Sequence, residues 1–349
     1  MQDAFADRLR NARIMKGFSM DELVNEMNHA VTKTAIMKYE KGIMKPNSSI
    51  LISLSKALDQ PLDYFFRPFS FHVESIRFRK RSHLSAKTEN AIREKVCDMI
   101  ERYVCIEEIC NDFIQFIPPE YKDISCEEQV RAVALDLRKK WDLGNDGIIN
   151  VIELLENHGI KVIEIEASSD FDGLSSMVND YIPVIVLNTG KCPERKRFTA
   201  LHELGHLLLS FAPGISSKTE ESLCHCFASE MLLPESVFRK EIGEKRNNIS
   251  YPELESLQSG YGISCEALMH KACRYGIISV QRYRSFCIQK NSNQILKRAI
   301  EKTLFPPEES HRFSSLVYRA LCNDLITVSK AASLLNKTAN EVREQAAII

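Results

Sequence analysis

The tightest constraint in this sequence is one apolar stretch that carries three chemically active side chains at helical spacing: Thr199-Ala200-Leu201-His202-Glu203-Leu204-Gly205-His206-Leu207-Leu208-Leu209. Residues four apart on an α-helix stand one turn apart on the same face, so His202 and His206 project side by side. Two imidazoles placed this way can reach a single ion at about 2 Å, the usual zinc–nitrogen distance. Glu203 then stands beside the ion's open position, where a carboxylate can hold a water and accept its proton. The spacing therefore predicts a Zn2+ site with His202 and His206 as metal ligands and Glu203 as catalytic base. Catalytic zinc takes three protein ligands and a water. The third is sought on the next acidic helix, Glu220 to Pro234, where Glu220, Glu221 and Glu230 compete. Glu221 and Glu230 are separated by roughly half a helical revolution, so both cannot face one metal, and spacing alone does not choose between the three.

A chain of 349 residues holds two or three domains. With 44% hydrophobic and 27% charged residues it reads as globular, neither fibrous nor disordered. The net charge of −1 hides an asymmetry: residues 1–82 hold 14 Lys and Arg against 9 Asp and Glu, a surplus of five, which leaves −6 on the remainder. A basic end on a near-neutral chain predicts contact with a polyanion. Eleven cysteines, an odd number without a repeated CxxC pair, indicate free thiols in a reducing compartment. Met1-Gln2-Asp3 opens no signal peptide, and runs such as Leu207-Leu208-Leu209 are too short to cross a bilayer. A cytoplasmic location and no membrane partner are expected. Cys224-His225-Cys226 is too closely spaced to converge on one ion from a helix and is read as packing.

Residues 1–66 read as five short helices. The first runs over about Ala4–Lys16. Ser19 and Glu22 form a capping box for the second. Thr32 caps the third, and the fourth follows Asn47-Ser48-Ser49 with Ile50, Leu51, Leu54 and Leu58 on one face. A fifth turn opens at Pro61. Residues 67–83, with Arg77-Phe78-Arg79-Lys80-Arg81, read as a linker or extended arm. Helical periodicity returns over 85–115, 127–141 and 149–158. Val162–Ile165, Ser175–Val178 and Ile182–Leu187 read as strands, with turn chemistry at Asn179-Asp180. Ile182–Leu187 is expected at a sheet edge, open to an extended peptide by strand addition. From Pro193 the chain reads as mostly helical.

The stretch from about Glu127 to Pro234 resembles the ImmA/IrrE family of metallopeptidases. The resemblance rests on Arg197-Phe198-Thr199-x-x-His202-Glu203-Leu204-Gly205-His206-Leu207-Leu208. It rests also on Glu221 with Phe227-Ala228-Ser229-Glu230-x-Leu232-x-Pro234, and on Phe171-Asp172-Gly173 upstream. It implies a zincin-like α+β domain whose zinc ligands are the two histidines and a glutamate on the following helix. That glutamate lies four residues before a position usually Asn or Asp, which points to Glu221. Here the position is His225, a departure. The activity implied is that of a zinc metalloendopeptidase, and because relatives cleave transcriptional repressors, a repressor protein is the expected substrate. No oxyanion donor can be named; Arg197 is near, but reads equally as a structural ion-pair residue.

Residues 5–66 are similar to the XRE-type helix-turn-helix domain of phage repressors, on Ser19-x-x-Glu22-Leu23 and Ile36-x-x-Tyr39-Glu40-x-Gly42-x-x-x-Pro46. In that fold the third helix enters the major groove of operator DNA. The resemblance places Lys33, Thr34, Met37 and Lys38 against base edges, pairs Arg13 with Glu40 facing the backbone, and makes Lys41 and Lys45 phosphate contacts. Met20 departs from the polar residue usual there, and Asn28-His29-Ala30 lengthens the turn before the third helix.

The expected chain is multi-domain and mainly α with a small β-sheet. Its parts are an all-α five-helix DNA-binding domain over 1–66, a basic arm and helical linker over 67–126, a metallopeptidase domain over 127–240, and a helical C-terminal region over 241–349. The last is read as packing, homodimerisation or substrate positioning, although Ile326–Asn336 also reads as half of a helix-turn-helix. A transcriptional regulator with a structural or sensory zinc site is the competing reading, and a closed four-ligand site would favour it.

Overall fold

The computed structural model of the chain describes residues 4–69 and 85–347, so Arg77-Phe78-Arg79-Lys80-Arg81 lies outside the described residues. The architecture is multi-domain and mainly helical with two small sheets, and the chain forms two compact units.

The first unit comprises Met1–Ile114, Val178–Asp180 and His311–Ile349. It begins with α1 (Ala4–Met15), α2 (Met20–Glu26), α3 (Lys33–Glu40) and α4 (Ser48–Leu58), followed by a 3-10 turn at Leu62–Phe66. Local rules set the helix starts. Ser19 and Glu22 complete a capping box, and the Thr32 and Asn47 side chains accept from Ala35 N and Ile50 N. Leu9, Leu23, Ile36, Leu54, Leu58 and Phe65 fill the core between these helices.

The long helix α5 (Ala86–Cys110) has two partners within this unit. Toward α1 it presents a buried ionic cluster. Arg8 Nη2 donates to Glu101 at 2.6 Å, and the Arg8 guanidinium also donates to the carbonyls of Arg67 at 3.1 Å and Pro68 at 3.2 Å. Asp98 accepts from Arg67 and pairs with Arg102 at 2.9 Å. Burial pushes the Asp98 carboxyl up, but Arg102, Arg67 and Arg8 outweigh it and hold the group below the ordinary range. One turn further, Tyr103 and Ile106 pack on Phe313, Leu316, Val317 and Ala320.

The second unit comprises Gln115–Met177 and Tyr181–Ser310. In chain order it holds β1 (Tyr121–Ile124), α6 (Glu127–Lys140), α7 (Val151–Asn157), β2 (Lys161–Ile165), β3 (Gly173–Val178), β4 (Ile182–Asn188) and α8 (Pro193–Leu208). Then follow β5 (Leu209–Phe211), α9 (Ser217–Leu232), α10 (Glu235–Ile242), α11 (Tyr251–Tyr261), α12 (Cys265–Arg274), α13 (Val280–Ser292) and α14 (Gln294–Ile300). Residues 241–349, read from the sequence as one region, divide between the units: α11–α14 lie in the second, whereas α15 (Arg312–Cys322), α16 (Val328–Leu335) and α17 (Ala339–Ala346) lie in the first.

The main sheet has the order β2-β4-β3. β2 and β4 run parallel, from Lys161 opposite Val184 to Ile165 opposite Asn188. The link from β3 to β4 turns at Asn179 and Asp180, both at positive φ. The edge-strand expectation for Ile182–Leu187 is corrected here: β4 is the central strand, and all of its residues are buried. Its unbroken apolar run, without polar alternation, is the signature of a strand covered on both faces. The edges are β2 and β3. A second, two-stranded sheet pairs β1 with β5 in parallel, so the chain leaves helix at Leu209, inside the stretch read as helical from Pro193.

The Arg8–Glu101 pair is buried on both sides. Arg8→Ala breaks this buried pair and removes the donors to the Arg67 and Pro68 carbonyls, and the expected cost is about 3–5 kcal/mol. Hydrogen exchange of the α1 and α5 amides measures it: protection should fall in both helices.

Candidate metal centre

Helix α8 starts after Cys192 with Pro193 in its first turn, and α9 starts under a Ser216 cap. The two pack closely because Gly205 has no side chain. A Cβ there would lie 3.1 Å from Phe227 Cδ1 and 3.4 Å from Cys224 Sγ of α9. Close packing brings Glu221 over the two histidines. Glu221 Oε2 is 3.1 Å from His202 Nε2, Oε1 is 3.6 Å from His206 Nε2, and the two Nε2 atoms are 3.1 Å apart. Hydrogen bonds to His202, then to His206, hold the Glu221 carboxyl far below the usual carboxylate range.

These separations test whether the residues fit a zinc ion. Ligands about 2.0–2.1 Å from a tetrahedral centre are about 3.3 Å from one another. The two Nε2 atoms at 3.1 Å and Glu221 Oε2 at 3.1 Å from His202 Nε2 lie near that edge length, and the other Glu221 oxygen, Oε1, stands 3.6 Å from His206 Nε2. Two imidazole nitrogens and a carboxylate oxygen are also the donor chemistry zinc takes. The residues fit the group.

Glu203 is buried beside this cluster, with a donor atom within 4.8 Å of those of His202 and His206. Ser175 Oγ donates to Glu203 Oε2 at 2.7 Å. Ser175 reaches it because β3 lies close against α8 at Gly173, where a Cβ would stand 2.7 Å from both Val186 O and Thr199 Cγ2. The Phe171-Asp172-Gly173 motif thus has a packing reason. The outer nitrogens of the two histidines differ. His206 Nδ1 faces Cys224 Sγ at 3.1 Å, whereas His202 Nδ1 has no hydrogen-bond partner among the described residues. The ring of His225 lies 4.4 Å from that of His202, and donor atoms of His202, Glu221 and His225 also fall within 4.8 Å of one another. Cys224-His225-Cys226, read from sequence as packing alone, therefore borders the site. Neither Ser175 nor Cys224 is singled out as functional by the sequence; the adjacent pair Ser175-Ser176 in a short strand does not say which serine meets the site.

Of the three competing glutamates, Glu221 is the one whose carboxylate reaches the imidazoles. Glu230 is buried in a separate network, accepting from Lys271 Nζ at 2.6 Å, from Glu235 N at 2.9 Å and from Tyr275 Oη. Arg197 is a structural residue: it pairs with buried Glu308, donates to Ile148 O at 2.7 Å and lies 4.0 Å over the Phe305 ring.

In the first unit, Arg13 Nε and Nη2 grip Glu40 at 2.5 and 2.9 Å while Nη1 donates to Phe18 O at 2.7 Å. Arg13 therefore braces α1 against α3. Lys33, Thr34 and Lys38 are exposed on α3, with Lys33 Nζ 2.6 Å from Asp21, and Met37 is half-buried. Lys41 and Lys45 are exposed beyond the helix. Thr34, Met37 and Lys38 lie on the same helix as buried Ile36 and Tyr39, which fix it to the core.

No helix among the described residues is long and apolar enough to cross a membrane. No curated protein matches the chain. Residues 155–272 match the family model described as the IrrE N-terminal-like domain, a peptidase family, and residues 9–65 match a helix-turn-helix family model. The chain therefore carries a helix-turn-helix DNA-binding domain and an IrrE-like domain of the peptidase class.

Proposed function

We propose that the protein is a DNA-binding zinc metalloendopeptidase that regulates transcription by cleaving a repressor protein. The observation that carries this reading is the convergence of His202, His206 and the Glu221 carboxylate within 3.1–3.6 Å with a fourth group, Glu203, buried beside them. A purely structural site has no need of that carboxylate.

Zinc held by His202, His206 and Glu221 would acidify water and polarise a peptide carbonyl. The chain's own residues supply the rest. Ser175 fixes Glu203 through Oε2, which leaves Oε1 to take a proton from the attacking water and deliver it to the leaving amine. Burial of the site strengthens each of these contacts. An extended peptide would add to the free edge of β3, the strand that carries Ser175, and so lie beside Glu203. In the helix-turn-helix domain, Lys33, Thr34, Met37 and Lys38 would meet base edges and Lys41 and Lys45 phosphates, with Arg13 acting through Glu40 to hold α3 in place.

The second reading, a transcriptional regulator with a structural or sensory zinc site, draws on one observation: His225 stands close enough to His202 and Glu221 to serve as a further protein donor. Such a site has no open position.

Three measurements test the proposal, and the first separates the two readings. Glu203→Gln should keep zinc at wild-type stoichiometry and lose hydrolysis by about 100-fold or more; co-expression with repressors encoded beside this gene reads the cleavage, and cleavage by the variant at the wild-type rate would overturn the assignment. Glu221→Gln should lose zinc while the helical circular dichroism stays unchanged; full zinc retention would remove Glu221 from the ligand set. Alanine at both Lys33 and Lys38 should weaken operator binding and lower the slope of log K against log salt by up to about 2, and an unchanged slope would argue against their contact with DNA.

A further inference from the structure

Metal-ligating histidines are commonly held by a hydrogen bond from the ring nitrogen that does not bind the metal. Among the two histidines of α8, only His206 has such a contact in the described residues: its Nδ1 lies 3.1 Å from Cys224 Sγ, while His202 Nδ1 has no partner. Both Cys224 and His206 are buried, so water does not compete for the contact. The ligand role of His206 also sets its direction. His206 Nε2 faces Glu221 and His202. For Nε2 to offer its lone pair there, the ring proton must sit on Nδ1, and Cys224 Sγ is then the acceptor. The opposite arrangement, S–H donating to Nδ1, puts the proton on Nε2 and spoils His206 as a ligand.

We propose that Cys224 is the positioning residue of the metal site: its sulfur accepts from His206 Nδ1–H, fixes the tautomer and ring angle, and makes His206 a competent donor. The proposal rests on the reading of His202, His206 and Glu221 as zinc ligands. Two features of the chain support it independently of that reading's chemistry. Gly205, one residue before His206, leaves the space Sγ occupies, since a Cβ there would press within 3.4 Å of it. Cys224 also lies three residues after Glu221, on the same face of α9, so one helix supplies both the third ligand and the brace for the second. The thiol thus has a use besides filling the core between α8 and α9.

The test is zinc affinity of the full-length chain, by chelator competition, in Cys224→Ala, Cys224→Val and Cys224→Ser. Alanine is smaller than cysteine and valine larger, and neither accepts a hydrogen bond; serine does. Alanine and valine should weaken zinc binding about 10- to 100-fold, with serine close to wild type. In the zinc-loaded protein the His206 Nδ1–H, followed by nitrogen NMR, should be hydrogen-bonded and slow to exchange in wild type and the serine variant, and should lose that protection in the other two. Should the valine variant not fold, the alanine–serine comparison decides. Equal affinity in all four proteins overturns the proposal, and so does equal weakening in all three variants, which would make the role of Cys224 one of packing. A wild-type chain that takes up no zinc overturns the underlying reading of the site, and is thereby distinguished from a failure of the Cys224 assignment alone.

Discussion

The close approach of α8 and α9 across Gly205 is the constraint on which the site depends. A glycine there lets Phe227 and Cys224 reach the α8 backbone, and from that distance the first turns of α9 carry Glu221 over two imidazoles that sit one turn apart on α8. Gathering two histidines and Glu203 in a buried place, with Glu221 half-buried beside them, is costly, because each buried polar group without a partner loses about 1–3 kcal/mol. The same helices offset this with their other faces. Leu201, Leu204 and Leu208 of α8 and Leu223, Phe227 and Met231 of α9 are all in one core, and each such side chain contributes about 1.5–3 kcal/mol on burial. The apolar term is larger than the polar penalty, so the fold holds the donors in position before any cation is bound.

A second set of buried charges explains why the domain does not stop at the end of α9. Arg197 on α8 pairs with Glu308, and Lys271 on α12 pairs with Glu230 on α9. Arg138 on α6 donates to the carbonyls of Met231, Gly144 and Asp146 near the ends of their elements. Burial pushes Lys271 toward its neutral form, and Glu230 opposes this. A buried ion pair of this kind is weak evidence for added stability, but breaking it is expensive. Such pairs fix α12 and the segment around Glu308 to the site helices, in agreement with a family match that runs on to residue 272.

What was legible in the sequence was local. Ser19 with Glu22, Thr32 and Asn47 set helix starts through contacts three residues long, and His202 and His206 owe their proximity to helical geometry alone. The choice among glutamates was not legible from spacing, because what removes Glu230 is its bond to Lys271, some forty positions away in the chain. The centre of the sheet is misread for a related reason: the apolar run of β4 shows that it is covered, but only its pairing with β2 on one side and β3 on the other shows that it is not an edge. Ser175 and Cys224 escaped notice because each acts on a residue of another element, Glu203 and His206. The packing of α15 and α16 on α5 joins residues some two hundred positions apart, beyond the reach of any periodicity.

In the first unit the same logic gives α3 of the helix-turn-helix domain a fixed seat. Arg13 ties α3 to α1 through Glu40, and Arg8 ties α1 to α5 through Glu101. Arg102 and Arg67 extend the cluster to the carbonyls of Leu334 and Ser333 at the end of α16. Three arginines surround two carboxylates, Asp98 and Glu101, and backbone carbonyls take several of the remaining donors, while Arg67 Nε has no partner among the described residues. A cluster of that composition resists any movement that would strip a guanidinium of its carbonyls, since the exposed alternative is an unpaired buried cation. The position of α3 is therefore set by a continuous series of buried contacts running from Glu40 to α16, and the long helix α5 is the frame that carries it.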